Sequence, residues 1–381
     1  MKSFLTALAL GSVSFSTFAQ TTDTTTASAP TQSATQVNPN ADLTVTGYVE
    51  AYYSHDFTAP KISQERPGFL YSHKRSREVN INLAFTKLAY TSERVRGNLA
   101  LQVGTYAQYN YAAEQGLVKN IFEANAGVKL SKTKNIWLDA GIFASHIGFE
   151  SAISKDCWTL TRSLLAENSP YYLSGAKVAY STGNGKWTLL GMITNGWQRV
   201  KKLDSYSGPS FSTQVQYRPS SNLTLNWSSF VGSDRPDSLR QGRIFNNFYA
   251  IINPTSRFGV TLGFDVGADR KPVVRTGSDQ RVDGGGNYVW YSPVVIARYK
   301  TSDRSYLNGR IEYYDDKNAV IIGIPGFKTT GYSLGYDYAI SPNALFRVEG
   351  KVYNSKTPIF EDKNGLGKIN TSLTTSLAVS F

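Results

Sequence analysis

The sequence predicts an all-β protein, a transmembrane antiparallel β-barrel of about 16 strands. Three observations carry this prediction. Apolar and polar residues alternate with a period of two along most of the chain after residue 42, and the connections between the alternating segments are short and long in turn. The chain also ends on an uncharged alternating segment that closes with an aromatic residue. A barrel with short periplasmic turns and long external loops has this organisation.

The composition favours strands around a wet interior over membrane helices. The chain has 381 residues, among them 24 Tyr, 19 Phe, 6 Trp and 32 Gly, and its mean hydropathy is −0.30. After residue 20 no apolar run reaches the roughly 20 residues that a spanning helix needs. The net charge of +12 suits an anionic partner or permeant. The single cysteine, Cys157, excludes an intramolecular disulfide framework.

The first 19 residues have the pattern of a secretory signal peptide. Lys2 supplies the positive charge, Phe4–Phe18 the apolar run, and Ala19 the small residue after which we expect cleavage. An uncleaved anchor is the alternative, and the short apolar run disfavours it. Residues 20–42 are rich in Thr, Ser, Ala and Pro, so we expect them to be disordered in the periplasm. The barrel is predicted to cover 43–381.

The strands are predicted from the alternation itself. In the segment 257–269, for example, Phe258, Val260 and Leu262 alternate with Gly259 and Thr261. The predicted strands are 43–54, 78–91, 95–109, 121–131, 136–145, 171–181, 186–196, 210–218, 222–232, 243–252, 257–269, 288–300, 304–314, 328–339, 344–354 and 369–381.

The connections sort into two classes that alternate along the chain. Short turns such as Ser92-Glu93-Arg94 and Gly183-Asn184-Gly185 follow every second strand. Both ends of the barrel lie on the short-turn side, so the last strand is predicted to pair with the first. A soluble β-sandwich has no reason to sort its loops in this way. The long connections are 55–77, 110–120, 146–170, 197–209, 233–242, 270–287, 315–327 and 355–368.

The last segment, Ile369–Phe381, is predicted to close the barrel. One face carries Leu377, Val379 and Phe381, and we expect it to touch outer-membrane lipid. The other face carries small polar side chains such as Ser376, and we expect it to face water. A terminal aromatic on such a strand resembles the signal that outer-membrane proteins present to their barrel insertion machinery. An ordinary edge strand is the alternative, but barrel closure removes the aggregation hazard of an edge.

Charged residues on the polar faces mark a candidate pore. Each would cost a few kcal/mol in lipid, so these side chains are predicted to face a water-filled lumen. A basic lumen favours anionic solutes. Alternatively, the excess charge lies on external loops, for instance at Arg66 and Lys74. The candidate pore-lining and constriction residues are Glu50, Arg96, Glu123, Glu150, Asp156, Arg162, Arg298, Arg310 and Arg347.

The third long connection, 146–170, is the most structured. Trp158–Glu167 is predicted to form a short helix with Asp156 as its N-cap, and Pro170 prevents its continuation. A loop this apolar is unsuited to full exposure. If it folds into the barrel, it narrows the pore; the alternative is a loop packed on the rim or on a neighbouring protomer.

Five runs of the sequence carry a family resemblance: Gly47–Tyr53, Gly141–Ser151, Trp158–Ser163, Ala166–Tyr171 and Thr194–Trp197. Together they resemble the OmpL-like β-barrel porin family. The resemblance covers essentially the whole chain after Asp42 and implies an outer-membrane porin with no assigned solute. The position of the third loop resembles the constriction loop of general trimeric porins, which implies a homo-trimer.

The function predicted from these observations is passive diffusion of small hydrophilic solutes, with anions preferred, across the cell outer membrane. A structural or ligand-binding barrel acting through its external loops is one alternative, and a barrel-embedded hydrolase is another. Ser145 and His146 are adjacent, so in a strand their side chains point apart, whereas a nucleophile and its base must touch. His146 and Cys157 lack metal-ligand spacing. We therefore expect no enzyme activity, cofactor, metal or nucleic-acid partner.

Overall fold

The computed structural model describes residues 42–59, 64–206, 208–239, 241–271, 273–275, 281–283 and 285–381. The predicted signal peptide and the chain up to residue 41 lie outside these ranges. Within them, no helix is both long and apolar enough to span a bilayer.

Strands make up most of the described chain, and helices are short. The helices are α1 (Thr105–Asn110) and α2 (Leu164–Glu167), with 3-10 turns at Gly116–Asn120, Ser154–Asp156 and Asp237–Leu239. The strands are β1 (Asp42–Asp56), β2 (Val79–Thr91), β3 (Val95–Val103), β4 (Ile121–Lys129), β5 (Asn135–Ala144), β6 (Tyr172–Ser181), β7 (Trp187–Thr194), β8 (Ser210–Ser220), β9 (Leu223–Gly232), β10 (Arg243–Ile252), β11 (Phe258–Arg270), β12 (Val273–Arg275), β13 (Arg281–Asp283), β14 (Asn287–Lys300), β15 (Ser305–Asn318), β16 (Pro325–Ser341), β17 (Ala344–Ser355), β18 (Phe360–Asp362), β19 (Gly365–Gly367) and β20 (Ile369–Ser380).

Sixteen of these strands close into one antiparallel barrel, in which each pairs with its neighbours in sequence and β20 pairs with β1. The predicted fold and the predicted closing pair are confirmed. The remaining strands form two small hairpins, β12–β13 and β18–β19, within long loops. We call the end with the short connections the turn end and the other the loop end.

The third strand is shorter than predicted. It ends at Val103 rather than at residue 109, because Gly104 has a φ of +121° and turns the chain into α1. A Cβ at Gly104 would lie 2.5 Å from the Asn82 carbonyl oxygen, so only glycine fits this corner. The prediction was too long because residues 105–109 continue the alternating pattern. Gly104 was the sequence signal that the strand ends.

The outward face of the barrel is apolar, as predicted. On β20, Leu373 and Leu377 are 43% and 44% exposed, whereas Thr374 and Ser376 point inward and are buried. The expectation that these inward hydroxyls face water is wrong. Both side chains are buried, and the Thr374 hydroxyl lies 2.9 Å from that of Ser54 on the paired strand β1.

The C-terminal residue is seated on β1 at Gly47. The Gly47 N–H donates to the Phe381 carbonyl oxygen over 2.6 Å, and the Phe381 N–H donates back over 3.0 Å. The Phe381 ring covers Gly47 so closely that a Cβ there would come within 2.3 Å of it. The glycine therefore makes room for the aromatic terminus and fixes the register of the closing pair.

Two long loops fold inward against the barrel wall. The first loop (57–78) places Phe69 and Leu70 in an apolar cluster with Tyr353 of β17. The third loop (145–171) contributes Leu164 to the same cluster and is buried along much of its length. Apolar side chains therefore fill a large part of the interior at the loop end.

Candidate functional site

The third loop is attached to the wall through Arg310 and Glu349, both fully buried. Arg310 Nη2 lies 2.8 Å from Glu349 Oε1, and Arg310 Nη1 donates to the Thr161 carbonyl oxygen over 2.7 Å. The Thr161 N–H donates to Glu349 Oε2 over 2.7 Å. Glu312 and Glu150 lie 3.3 and 3.8 Å from the same guanidinium. We call these five residues the anchoring network.

Burial makes this network costly to break. A buried charge that loses its partner destabilises a fold far more than an exposed one. Burial raises the pKa of Glu150 in the loop, although Arg310 and Arg162 oppose that rise. Lys351 adds a further cation, with its Nζ 3.3 Å from Glu312 and donating to the Arg162 carbonyl oxygen over 2.9 Å.

A second attachment is made at Glu50, beside a bulge in β1. Its carboxylate lies 3.1 Å from Nε2 of His73 in the first loop and accepts from Nδ2 of Asn82 over 2.9 Å. The Ser154 hydroxyl of the third loop donates to the same carboxylate. Glu50 and His73 are fully buried. One side chain thus joins two inward loops to the wall.

Two arginines hold the backbone of the third loop. Arg347 on β17 is paired with Asp337 over 2.8 Å and donates to the carbonyl oxygens of Ser154 and Trp158 over 2.5 and 3.1 Å. Arg162 donates to the carbonyl oxygens of Ser151 and Leu160 over 2.5 and 2.8 Å. The guanidinium of Arg162 therefore ties the loop to itself.

The predicted helix in this loop is too long. Helix α2 is confined to Leu164–Glu167, with Ser163 as its N-cap, and Asp156 instead ends a 3-10 turn. The Thr161 N–H and carbonyl oxygen are both hydrogen-bonded to wall side chains, Glu349 and Arg310. They are therefore not available for an earlier turn of helix. The helix stops at Asn168, as predicted.

The structure separates the nine predicted pore residues into two groups. Those in the first group are buried between the third loop and the wall, where they contact one another or other residues of the third loop. Those in the second group reach open space, and Arg298 among them stacks on Tyr306 at 3.8 Å. The first group is Glu50, Glu150, Arg162, Arg310 and Arg347; the second is Arg96, Glu123, Asp156 and Arg298.

Open space remains on the inner wall of β2–β6, in a cavity of about 400 Å³ that we call the wall cavity. Arg96 lies 2.5 Å from Asp139, and Lys87 lies 2.6 Å from Glu123. Lys177 sits 3.8 Å above the Phe143 ring and has no carboxylate within ion-pair distance among the described residues. The charged residues that line the cavity, Arg96, Lys177, Glu123 and Asp139, balance one another, and Lys177 is the cation among them without an ion pair in the described chain.

Four buried tyrosines pack together near the wall cavity. Tyr172 pairs with Ala144, which lines the cavity, and stacks on Tyr111 at 4.0 Å. Tyr106 meets Tyr171 edge-on at 5.7 Å. We call these residues, Tyr106, Tyr111, Tyr171 and Tyr172, the tyrosine cluster.

A second cavity of about 290 Å³ lies at the loop end, and Gln198 in its lining accepts from the Tyr171 N–H. It is lined by Arg199, Arg235 and Arg243 and by the carboxylates of Glu167 and Asp234. We call it the arginine pocket. Strand alternation could not predict it, because four of these five residues lie in three different loops.

His146 contacts Ser212 rather than its neighbour Ser145. Its Nε2 lies 2.8 Å from the Ser212 hydroxyl oxygen, which in turn lies 2.6 Å from the Ser229 carbonyl oxygen. Burial, with help from Lys177, lowers the pKa of His146 to about 4. No group of three or more His, Cys, Asp or Glu side chains suited to a metal ion occurs in the part of the chain that the structure describes.

Solved porin structures share this architecture at low sequence identity. An anion-selective porin from Comamonas acidovorans aligns with a TM-score of 0.58 and 11% identity over 90% of this chain and 100% of its own. The outer membrane channel DcaP of Acinetobacter baumannii gives 0.57 and 11% over 90% and 98%. OmpT of Vibrio cholerae, in its trimer form, gives 0.55 and 9% over 90% and 99%.

The family comparison is more specific. No curated protein matches the sequence. The sequence profile of a family described as "Putative beta-barrel porin-2, OmpL-like" matches residues 42–381, which is the whole barrel. The chain therefore belongs to the OmpL-like beta-barrel porin family.

Proposed function

We propose that this outer-membrane barrel is a porin for passive diffusion of small hydrophilic anions. The observation that carries the proposal is the wall cavity. The third loop is attached to β1, β15 and β17. On β2–β6, charged and polar side chains surround open space. A polar inner wall around open space, with ion pairs such as Arg96 with Asp139, suits a water-filled channel.

The proposed path runs from the arginine pocket, past the tyrosine cluster, into the wall cavity. Gln198, which lines the arginine pocket, accepts from the Tyr171 N–H over 2.8 Å, and Tyr172 is paired with Ala144 of the wall cavity. The tyrosine cluster is therefore in contact with a lining residue of each space, which supports a path past it. We propose it as the constriction, with the third loop as the rigid wall behind it.

Charge supports the preference for anions. Lys177 in the wall cavity, and Arg199 and Arg235 in the arginine pocket, have no ion pair within the described residues. Cations that are not neutralised by carboxylates raise the local concentration of anions. The Comamonas acidovorans protein of similar fold is named as an anion-selective porin.

A homo-trimer is the assembly that we propose. Strands β3–β5 present only aliphatic and small side chains outward, among them Leu99, Leu101 and Leu138. Other strands expose aromatics such as Phe264 and Tyr299, as a lipid-facing surface does. A face without aromatics suits a protein neighbour, and OmpT of similar fold is described as a trimer. Delivery by the signal peptide, cleaved after Ala19, and by the insertion machinery belongs to the same proposal.

One observation favours a closed barrel that binds ligands through its loops. The apolar cluster at the loop end, which includes Phe69 and Leu164, blocks part of the interior. The hydrolase alternative has less support, because the Ser212 hydroxyl donates to the Ser229 carbonyl oxygen. His146 must then donate to Ser212, which is the opposite of the direction that a general base requires.

Reconstitution into planar lipid bilayers tests the proposal against both alternatives. We expect stepwise, ohmic conductance from the purified, folded barrel. A folded barrel that inserts and gives no conductance would contradict the porin and favour the ligand-binding barrel. Ester hydrolysis that disappears in His146→Gln while conductance is kept would favour the hydrolase.

A further inference from the structure

The arginine pocket has a polar lining in which the acids are occupied. Both oxygens of Glu167 are within hydrogen-bonding distance of backbone N–H groups in the first loop, and the shortest contact, to Tyr71, is 2.8 Å. Asp234 accepts from the Trp197 N–H over 2.8 Å. These carboxylates are held in place by the fold and offer little to a cation entering the pocket.

The three arginines are not equivalent. Arg243 is fixed by Asp269 over 2.8 and 2.9 Å and lies between the Trp197 and Trp290 rings, 4.9 and 5.2 Å from their centres. Arg199 and Arg235 have no ion pair among the residues that the structure describes. The lining charges sum to +1, and the free donors belong to these two guanidinium groups.

The backbone that carries Arg199 is held rigidly. Gln198 has a φ of +53°, and both the oxygen and the nitrogen of its side-chain amide are hydrogen-bonded. Its Oε1 accepts from the Tyr171 N–H, and its Nε2 donates to Asn110 Oδ1, each over 2.8 Å. A donor that is positioned before binding loses less entropy when a ligand arrives.

The pocket also has an apolar side, formed by Val320 and Ile321. Guanidinium groups bind carboxylates with two parallel hydrogen bonds, and an apolar wall accommodates a hydrocarbon body. We propose that the arginine pocket binds small organic carboxylates and delivers them to the pore. The proposal rests on the proposed porin function and adds the chemical class of a preferred solute and the site that captures it.

The test is calorimetric titration of benzoate into the purified, detergent-solubilised full barrel. We expect saturable binding, weakened about ten-fold or more in the double variant Arg199→Gln/Arg235→Gln, which loses two charged donors. The matched control Lys317→Gln/Lys363→Gln removes the same charge from exposed loop-end positions and should bind benzoate as the wild type does. Benzylamine, a cation of similar shape, should not bind.

Three results would overturn the proposal. The first is that the wild-type barrel does not bind benzoate, and the second is that the two double variants bind it equally weakly. The third is that inorganic phosphate displaces benzoate at equal concentration. Bilayer conductance of the same preparation tests the porin function separately from the carboxylate-binding pocket. If the barrel conducts but does not bind benzoate, the porin function is supported and the proposed binding site is wrong. If the barrel binds benzoate but does not conduct, the binding site is supported and its role in delivering solutes to a pore is wrong.

Discussion

Arg310 on β15 lies 2.8 Å from Glu349 on β17, and both side chains are fully buried beneath the third loop. The pair bridges two wall strands that are separated by β16, and it holds the backbone of Thr161. The third loop is therefore fixed by charges in a protected environment, where their interaction is strong and is screened little by salt.

Removing this guanidinium should destabilise the barrel strongly. Arg310→Met leaves Glu150, Glu312 and Glu349 without their shared cation, at a cost of about 3–5 kcal/mol. Urea unfolding followed by tryptophan fluorescence measures the loss. Lys300→Met, which breaks an exposed pair with Asp303, is the control and should hardly change the midpoint. Equal shifts in the two variants would contradict the anchoring role.

Replacing residues 150–167 by a short Gly/Ser linker should raise single-channel conductance about two-fold or more, because the loop occupies part of the lumen. Planar-bilayer recording measures the change. As a control, the same type of linker in place of residues 361–365, at the tip of the β18–β19 hairpin, should leave conductance close to wild type. Unchanged conductance in the 150–167 variant would mean that the loop does not restrict the path.

Reversing the charge of Lys177 should shift ion selectivity toward cations, because its ammonium group faces the wall cavity without a carboxylate partner. Reversal potentials in a KCl gradient measure the effect of Lys177→Glu. Lys134→Glu makes the same change of net charge in an exposed turn and should leave the reversal potential close to wild type. Equal shifts in both variants would assign selectivity to overall charge rather than to the cavity.

A charge on the outward face should impair assembly. Leu377→Lys places an ammonium group in lipid at a cost of about 2–4 kcal/mol near the midplane. Because the inward residue Ser376 is covered, the matched control is Asn98→Lys, which faces the wall cavity. Folding into lipid vesicles, followed by the shift in gel mobility of the folded barrel, compares them. Equal folding yields would show that the assignment of faces is wrong.

His146 should make stability depend on acid pH. Its pKa is lowered to about 4 in the folded chain, mainly by burial, from an ordinary value of 6.5. Between these values the unfolded chain binds a proton that the folded chain does not, so stability falls as the pH drops from about 6.5 to about 4. His146→Gln should lose part of this slope, as measured by urea midpoints at pH 7 and pH 4.5. An unchanged slope would exclude His146 as its source.

The fold was predictable because a period of two records which face a residue occupies, and lipid demands that one face be apolar. The pairing of Ile369–Phe381 with β1 followed from the alternation of loop lengths. This alternation does not show whether an inward residue faces open space or lies beneath a loop. Arg96 and Arg347 both alternate correctly, yet the first lines a cavity and the second lies beneath the third loop.

Residues brought together by loops were beyond prediction for the same reason. Arg199 and Arg235 lie in two loops without regular periodicity, and only the folded barrel shows that they share a pocket. The helix prediction failed at Thr161, where a partner distant in sequence, Glu349, took a backbone group that the local pattern had assigned to the helix.

The reversal potential of the wild-type barrel in a planar bilayer under a KCl gradient tests the proposed anion channel directly. We predict a conducting channel that is more permeable to chloride than to potassium. A barrel that inserts without conducting, or one that prefers potassium, would contradict it.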